Sequence, residues 1–335
     1  MTDHELGDEP ATEPFPDEIV AAVEAEHAAR RACQGRPGVE AALVDLPPDL
    51  GNDEVAVDSM RPPWTYLVHE PPVRPFVPQF RPGVTPAPPD FRMLVLDLVP
   101  RPVVAASILP PCGFPWATVG RVEAGFGEEF DRPRIYGTGA LVGPNLLLTA
   151  SHLMQWDHPP EGWWMRFVPG YVDGLEPYGH SYVELVHGYR GDGDPSGLDY
   201  VLGKLYEPLG ERVGWMGSQS FGDEDRYTDP LWLSVGYPQV YLDGLQPVLD
   251  TNIGIEDIDN DSNHSKELEV DYSDAFGGGW SGGPLFGPIG GVGGDYRVIG
   301  VKSGYEADGW DPVRAVFAGG RPMVEIVKYG WANWQ

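Results

Sequence analysis

The sequence predicts an all-β protein made of two small barrels and a C-terminal helix, preceded by a proline-rich acidic extension. From residue 116 onward, short apolar runs alternate with glycine-rich turns, a pattern typical of antiparallel strands. The chain contains 44 glycines and 36 prolines, which favours turns over long helices. Of those 36 prolines, 21 lie within residues 1–115, so the character of the chain changes near residue 115.

The first barrel is expected over about residues 114–210. Six runs in this range are rich in β-branched, aliphatic or aromatic residues and are bounded by turn residues. They are 117–123, 136–142, 145–149, 163–168, 181–189 and 200–205. Six short strands are enough to close one small barrel.

The second barrel is expected over about residues 228–320, after a connector at about 207–228. Its predicted strands are 231–236, 248–255, 267–272, 284–286, 298–303 and 313–317. A final helix is predicted over about 321–334, because apolar residues recur there at helical spacing. These residues are Val324, Ile326, Val327 and Trp331.

Residues 1–113 form the predicted N-terminal extension, and residues 114–335 the following domain. The first 15 residues are acidic and carry few apolar groups, and about 17–32 is predicted to be one short helix. From 36 to 115, the proline content predicts extended chain that either packs over the following domain or is partly mobile.

The net charge of the chain is −29 at pH 7. Such acidity repels phosphates and acidic lipid surfaces, which argues against nucleic acid or a membrane as a partner. The sequence has no run of about 18 apolar residues, and its acidic first residues lack the pattern of a secretory signal. The compartment stays open, with an intracellular location favoured over secretion, and a monomer is expected.

Metal and cofactor chemistry is not predicted. Cys33 and Cys112 cannot form a disulfide framework and are not spaced for a metal, so two free thiols are expected. The acidic run 256–261 could hold calcium, but it lacks the spacing and the glycine of a known calcium loop. An exposed acidic turn is the favoured interpretation of that run.

The most informative stretch is 279–284, which reads G-W-S-G-G-P. A serine between glycines can occupy a tight turn with its hydroxyl exposed, and successive backbone N–H groups there can point into one hole. A tetrahedral oxyanion needs such a hole, and Gly279 and Ser281 would supply its N–H groups. The alternative is an ordinary glycine-rich turn between two strands.

Two further residues favour the chemical interpretation. His152 follows a predicted strand, and Asp199 opens an apolar strand where a carboxylate is costly to bury without a donor. A histidine is the natural donor, and it is also the base that a weak serine nucleophile requires. The separations are 199 − 152 = 47 and 281 − 199 = 82 residues, enough for the rest of one barrel and most of a second. His158, His180 and His187 are expected on the surface or on strand faces.

Three blocks in this order resemble the trypsin-like serine peptidases over about residues 114–335. They are T-A-S-H at 149–152, L-D-Y-V-L-G-K-L at 198–205 and G-W-S-G-G-P-L at 279–285. The hairpin sequence at 139–149 and the V-G-Y-P sequence at 235–238 are similar to the glutamyl endopeptidase branch.

The resemblance implies two six-stranded antiparallel Greek-key barrels and a serine endopeptidase that cleaves protein or peptide substrates through an acyl-enzyme, without a cofactor. It implies Ser281 as nucleophile, His152 as general base and Asp199 as the residue that orients the histidine. The rival hypothesis is a catalytically silent or regulated relative that acts as a binding module. The complete set of three residues favours the enzyme, whereas the long extension favours regulation or occlusion. Trp280 replaces the family's usual aspartate, so activation by a newly cut N-terminus is not expected.

The resemblance also implies which residues form the primary specificity pocket. Ala275, six residues before Ser281, stands where enzymes specific for basic residues keep an aspartate, and Asp274 lies one position away. Ala275 therefore disfavours a basic preference, while Asp274 leaves it open. Phe276 replaces a small hydroxylated residue of the glutamyl branch.

The opposite wall of the pocket is expected from Lys302, Ser303 and Gly304. Lys302 stands where the glutamyl branch has a histidine that receives the substrate carboxylate, and a lysine ammonium could do the same. The alternative is a lysine that points to solvent. Ser303 is expected to line the pocket and to donate to Asp199. An acidic or a small residue before the scissile bond is therefore predicted.

Overall fold

A computed structural model describes the chain at residues 39–47, 50–68, 74–75, 107–109, 111–126, 133–154, 156, 162–189, 197–228, 232–240, 242–260, 264–271, 276–291, 294–308 and 311–335. The strands in these residues, numbered β1 to β18, are Glu40–Val44, Val55–Val57, Arg74–Pro75, Ser107–Ile108, Val119–Gly125, Ile135–Leu141, Leu146–Thr149, Trp164–Pro169, Ser181–Tyr189, Val201–Leu205, Gly217–Ser220, Trp232–Gly236, Val248–Ile253, Ile255–Asn260, Ser265–Asp271, Pro284–Ile289, Asp295–Asp308 and Asp311–Gly320. The α-helices are α1 (Gly210–Val213), α2 (Asp225–Thr228) and α3 (Arg321–Asn333).

The first sheet contains the predicted six-stranded barrel. Its order is β1-β9-β10-β7-β6-β5-β8, and β8 also pairs with β9, so strands β5 to β10 close on themselves. The paired strands β7 and β10 bury aliphatic side chains in the barrel. These are Leu147 and Leu148 on β7, and Val201 and Leu202 on β10. The all-β class and the first barrel are therefore confirmed.

The second sheet is a half-barrel. The six strands predicted for this region correspond to β12, β13, β15, β16, β17 and β18, and β14 is an addition. Along the path β14-β15-β18-β17-β16-β12-β13, each neighbouring pair is antiparallel. The sheet does not close within the described residues, because the outer edge of β13 pairs with β4. The described part of the acidic run, residues 256–260, lies in β14 and not in a turn.

Part of the predicted extension belongs to these same sheets. β1 pairs in parallel with β9, β2 pairs with β11, and β4 pairs with both β13 and β3. Arg297 on β17 also binds Asp58 at 2.6 Å. Residues 37–335 form one compact unit that contains both sheets, and the boundary expected near residue 113 stays a prediction. The helix predicted over 17–32 lies outside the described residues.

The predicted C-terminal helix is present as α3. It begins with Pro322 in its first turn, where the missing N–H costs nothing, and buries Val324, Ile326 and Val327. Gly330 lets the helix approach Leu202 of the barrel, because a Cβ at this position would lie 2.4 Å from a leucine methyl carbon. None of the helices in the described residues is both long and apolar enough to cross a membrane.

Candidate active site

The serine-containing turn requires glycine at two positions. Gly279 has φ +95° and Gly282 has φ +84°, a region that side chains rarely adopt. A Cβ on Gly282 would also lie 2.1 Å from the Thr138 carbonyl oxygen on β6. The turn therefore packs directly on β6, and residue types at both ends of the G-W-S-G motif are dictated by backbone geometry.

Thr138 on β6 holds this turn in place. Its backbone N–H donates to the Ser281 carbonyl at 2.7 Å, and its hydroxyl donates to the Gly279 carbonyl at 2.8 Å. The same hydroxyl accepts from the Tyr237 N–H at 3.0 Å, which ties the turn to the end of β12. Sequence reasoning missed Thr138. The available signal was its position between two glycines of β6, where a backbone can approach closely.

His152 and Asp199 are in direct contact, as the sequence predicted. His152 lies in a single 3₁₀ turn immediately after β7, and Asp199 lies two residues before β10, the strand paired with β7. The His152 Nδ1 lies 2.7 Å from Asp199 Oδ2, and the His152 backbone N–H donates to Asp199 Oδ1 at 2.9 Å. Both carboxylate oxygens therefore fix the histidine, by its ring and by its backbone.

Asp199 is held in its ionised form. Burial of the Asp199 carboxylate raises its pKa. The hydrogen bonds from His152 and Ser303 together lower the pKa by more than burial raises it, so the pKa lies below its usual range. Ser303 donates to Asp199 Oδ2 at 2.5 Å, the contact expected from the sequence. A carboxylate that stays ionised can stabilise an imidazolium on His152, whose side chain is 42% exposed and open to solvent.

Ser281 lies near the strand that leads to His152. A Cβ on the adjacent Gly282 would lie 2.3 Å from the Thr149 hydroxyl oxygen and 3.0 Å from the Ala150 nitrogen. Among the described residues, no hydrogen bond joins Ser281 to His152, which is common for such pairs before substrate binds. The backbone N–H groups of Gly279 and Ser281 have no acceptor in the described part of the chain.

Lys302 is buried, and the alternative of a solvent-directed lysine is wrong. The residue is 2% exposed, and its ammonium donates to the carbonyl oxygens of Ser303, at 3.1 Å, and Gly304. Burial lowers the pKa of this lysine to about 7, and the charge of Asp199 opposes that shift. The Lys302 backbone also forms a hydrogen bond with the serine-containing turn, because its carbonyl accepts from the Gly282 N–H at 2.8 Å.

Phe276 lies in the apolar cluster that also contains Trp280 and Phe317. Its ring is 5% exposed and packs edge-on against Trp280 at 5.0 Å and Phe317 at 5.6 Å. The Lys302 ammonium lies 6.0 Å from the centre of the Phe317 ring. The structure thus brings Phe276 and Lys302 to one apolar region, whereas Ala275 and Asp274 lie outside the described residues.

The remaining candidates from the sequence lie away from the serine turn. His180 binds Glu176 at 2.5 Å, and His187 packs against Tyr329 of α3. Cys112 is an exposed free thiol. His158 and Cys33 lie outside the described residues.

The described arrangement has the parts that acyl transfer requires. Ser281 lies in a fixed turn whose Gly279 and Ser281 N–H groups have no acceptor among the described residues, and His152 is oriented by an ionised carboxylate. The roles of the individual residues stay predictions.

No protein-family model matches the chain. No curated protein matches it either. Among solved structures, the chain is similar to a Glu endopeptidase in complex with MPD, with 16% identity over 66% of this chain and 93% of that one and a TM-score of 0.49. It is also similar to the protease Anisep from Arthrobacter nicotinovorans, with 18% identity, 65% and 96% coverage and a TM-score of 0.45. A thermostable serine protease, AL20, from an extremophilic microorganism gives 17% identity, 65% and 98% coverage and a TM-score of 0.44. Likeness at these levels carries no conclusion about activity or substrate.

Proposed function

We propose that this chain is a serine endopeptidase. The observation that carries the proposal is the double contact of Asp199 with His152, together with a glycine turn at Ser281 in which the N–H groups of Gly279 and Ser281 have no acceptor among the described residues. A structural ion pair would not need the neighbouring turn to leave its N–H groups without acceptors. These features together fit nucleophilic catalysis on a carbonyl group.

In the proposed reaction, Ser281 Oγ attacks the carbonyl carbon of the peptide bond while His152 Nε2 takes the serine proton. The carbonyl electron pair moves onto oxygen, and the N–H groups of Gly279 and Ser281 bind that oxyanion. The C–N bond then breaks as His152 gives its proton to the leaving amine, and an ester remains on Ser281. Water repeats the sequence on the ester and regenerates the free hydroxyl.

The test is labelling with a fluorophosphonate, which reacts with an activated serine. Wild-type protein should be labelled and should hydrolyse casein, and Ser281→Ala should do neither. Ser220→Ala is a matched control, because the Ser220 hydroxyl lies 3.2 Å from the Tyr227 hydroxyl, in the second sheet. A folded wild type that takes no label would leave the binding-module hypothesis in place of the enzyme.

The proposed substrate preference is an acidic residue, or next a small one, before the scissile bond. An ammonium has three N–H donors, and two of those on Lys302 are used by the carbonyls of Ser303 and Gly304. The third has no acceptor among the described residues, and we propose that it binds the substrate carboxylate. Phe276 supports the alternative of a small residue, because its ring takes up room in the same apolar region.

A further inference from the structure

We propose that Trp280 is a positioning residue that holds the two oxyanion donors through an uncharged anchor, the hydroxyl of Ser234. Trp280 stands between Gly279 and Ser281, so its two flanking peptides are those that carry or adjoin the donor N–H groups. This inference deepens the proposed function and names what fixes the geometry of that site.

The anchor is one buried hydrogen bond. Trp280 is fully buried, and its Nε1–H donates to the Ser234 Oγ at 2.9 Å. Ser234 lies on β12 and is itself fully buried. A hydrogen bond with both partners away from water is costly to break, because each group would be left unsatisfied. The indole of Trp280 therefore has one preferred position.

Two glycines lie directly against the Trp280 indole ring. A Cβ on Gly236 would lie 2.4 Å from two carbons of the Trp280 ring, and a Cβ on Gly283 would lie 2.7 Å from ring carbon Cδ1. The ring is thus held between the backbone of β12 and the backbone that follows Ser281. Phe276 closes a further side with its edge-on contact at 5.0 Å.

The backbone of Trp280 is fixed as well. Its N–H donates to the Gly277 carbonyl at 3.1 Å, and its carbonyl accepts from the Gly283 N–H at 2.7 Å. Side chain and main chain together determine how the peptides on both sides of Trp280 are oriented. The directions of the Gly279 and Ser281 N–H groups follow from that orientation, and oxyanion stabilisation depends on those directions.

The test compares Trp280→Phe, which keeps a ring but loses the donor, with Ser234→Ala, which loses the acceptor. Trp232→Phe is the matched control, since Trp232 is also on β12 and its Nε1–H donates to the Tyr227 carbonyl at 2.7 Å. Active sites are counted by fluorophosphonate titration. Turnover of casein per active site, and Ki for a peptide aldehyde that forms an oxyanion adduct, are then measured.

Both variants should lose on the order of 10–100-fold in kcat per active site, less than the loss of a whole donor, with KM changed less than about threefold. Ki for the aldehyde should rise by the same factor as kcat falls. The double variant should lose little more than either single one. Trp232→Phe should lower Tm comparably but leave kcat per active site within about twofold.

The proposal is overturned if either variant keeps kcat per active site, or if Trp232→Phe reduces it equally. Hydrogen exchange of the peptide that spans 276–284 decides the matter even if wild type neither labels nor hydrolyses casein. Ser234→Ala should speed exchange in this peptide by at least about tenfold, and Trp232→Phe should not. Unchanged exchange in Ser234→Ala would refute the anchor, whereas absence of labelling alone would refute only the proposed function.

Discussion

Lys302→Met should remove a preference for glutamate over glutamine before the scissile bond. Methionine keeps an apolar stem of similar length in the buried site but has no ammonium. In the wild type, Lys302 is 2% exposed, and among the described residues its ammonium has one N–H left after its bonds to two backbone carbonyls. The change therefore deletes the charge with little change in packing.

The size of the preference follows from the burial of the ammonium. Two unit charges 4 Å apart interact by about 1 kcal/mol in bulk water and about 4 kcal/mol at an effective dielectric of 20. These values correspond to roughly fivefold and roughly 10³-fold preferences in kcat/KM. The near-complete burial of Lys302 favours the upper part of this range.

The preference should also depend on pH. The pKa of Lys302 is lowered to about 7, so the ammonium is present below that pH and is lost above it. Asp199, the charged group that raises this pKa, stays ionised over the same range. The ratio of kcat/KM for glutamate over glutamine should be constant near pH 6 and should fall about tenfold per pH unit above about 7, down to an uncharged baseline.

The assay uses two fluorogenic peptides that differ only in glutamate or glutamine at that position, over pH 6–9. Taking the ratio cancels the titration of the catalytic base, because both substrates use the same base. Lys328→Met is the control, since the Lys328 side chain is 47% exposed and binds Glu325 on the same helix. A ratio that does not change with pH, or that survives in Lys302→Met, would refute the assignment. Faster cleavage after arginine would point to Asp274 instead.

Ser281→Ala and His152→Ala should each lower kcat by a factor on the order of 10⁴–10⁶. The double variant should lose little more than either single variant. If steady-state kinetics show that the two losses multiply, the two residues do not act together. Asp250, 2% exposed with one carboxylate oxygen lacking a hydrogen-bond partner, has a pKa raised by burial to about 6. Its folded-state pKa exceeds the unfolded value of 3.8, so stability is lost as pH rises from about 4 to about 6. The advantage of Asp250→Asn over wild type in urea unfolding should therefore be larger at pH 7 than at pH 4 by about 2 kcal/mol, and an equal advantage at both pH values would exclude the effect. Deletion of residues 1–58 should lower Tm by at least several degrees, and an unchanged Tm would show that β1 and β2 do not stabilise the fold.

The strands of the first barrel could be predicted because their apolar runs are bounded by glycine, proline and asparagine. The contact between His152 and Asp199 could be predicted for a different reason: an unpaired carboxylate at the start of a buried strand needs a donor. The role of Thr138 was not predicted, because its one signal, a position between Gly137 and Gly139, indicates a close backbone approach but not which segment approaches. The burial of Lys302 had a weak signal, since it is the one charge in the apolar run 298–303.

The strands of the extension could not be predicted from their own sequence. β2 and β4 are three and two residues long and lie in proline-rich surroundings, so they show almost no alternation. Their structure depends on partners far along the chain, at β11 and β13. For the same reason, the sequence did not show that the second sheet stays open among the described residues, where the edge of β13 pairs with a strand from the extension.

The position of β4 connects the extension to the serine turn. β4 pairs with β13, β13 pairs with β12, and β12 carries Ser234, which accepts the hydrogen bond from Trp280. Only one strand, β13, therefore separates the extension from the strand that anchors the turn. If β4 is removed, β13 becomes an edge strand with unpaired N–H and C=O groups, and the position of β12 is less strongly constrained. We therefore expect loss of β4 to disturb the turn that carries Gly279 and Ser281, as well as the stability of the second sheet.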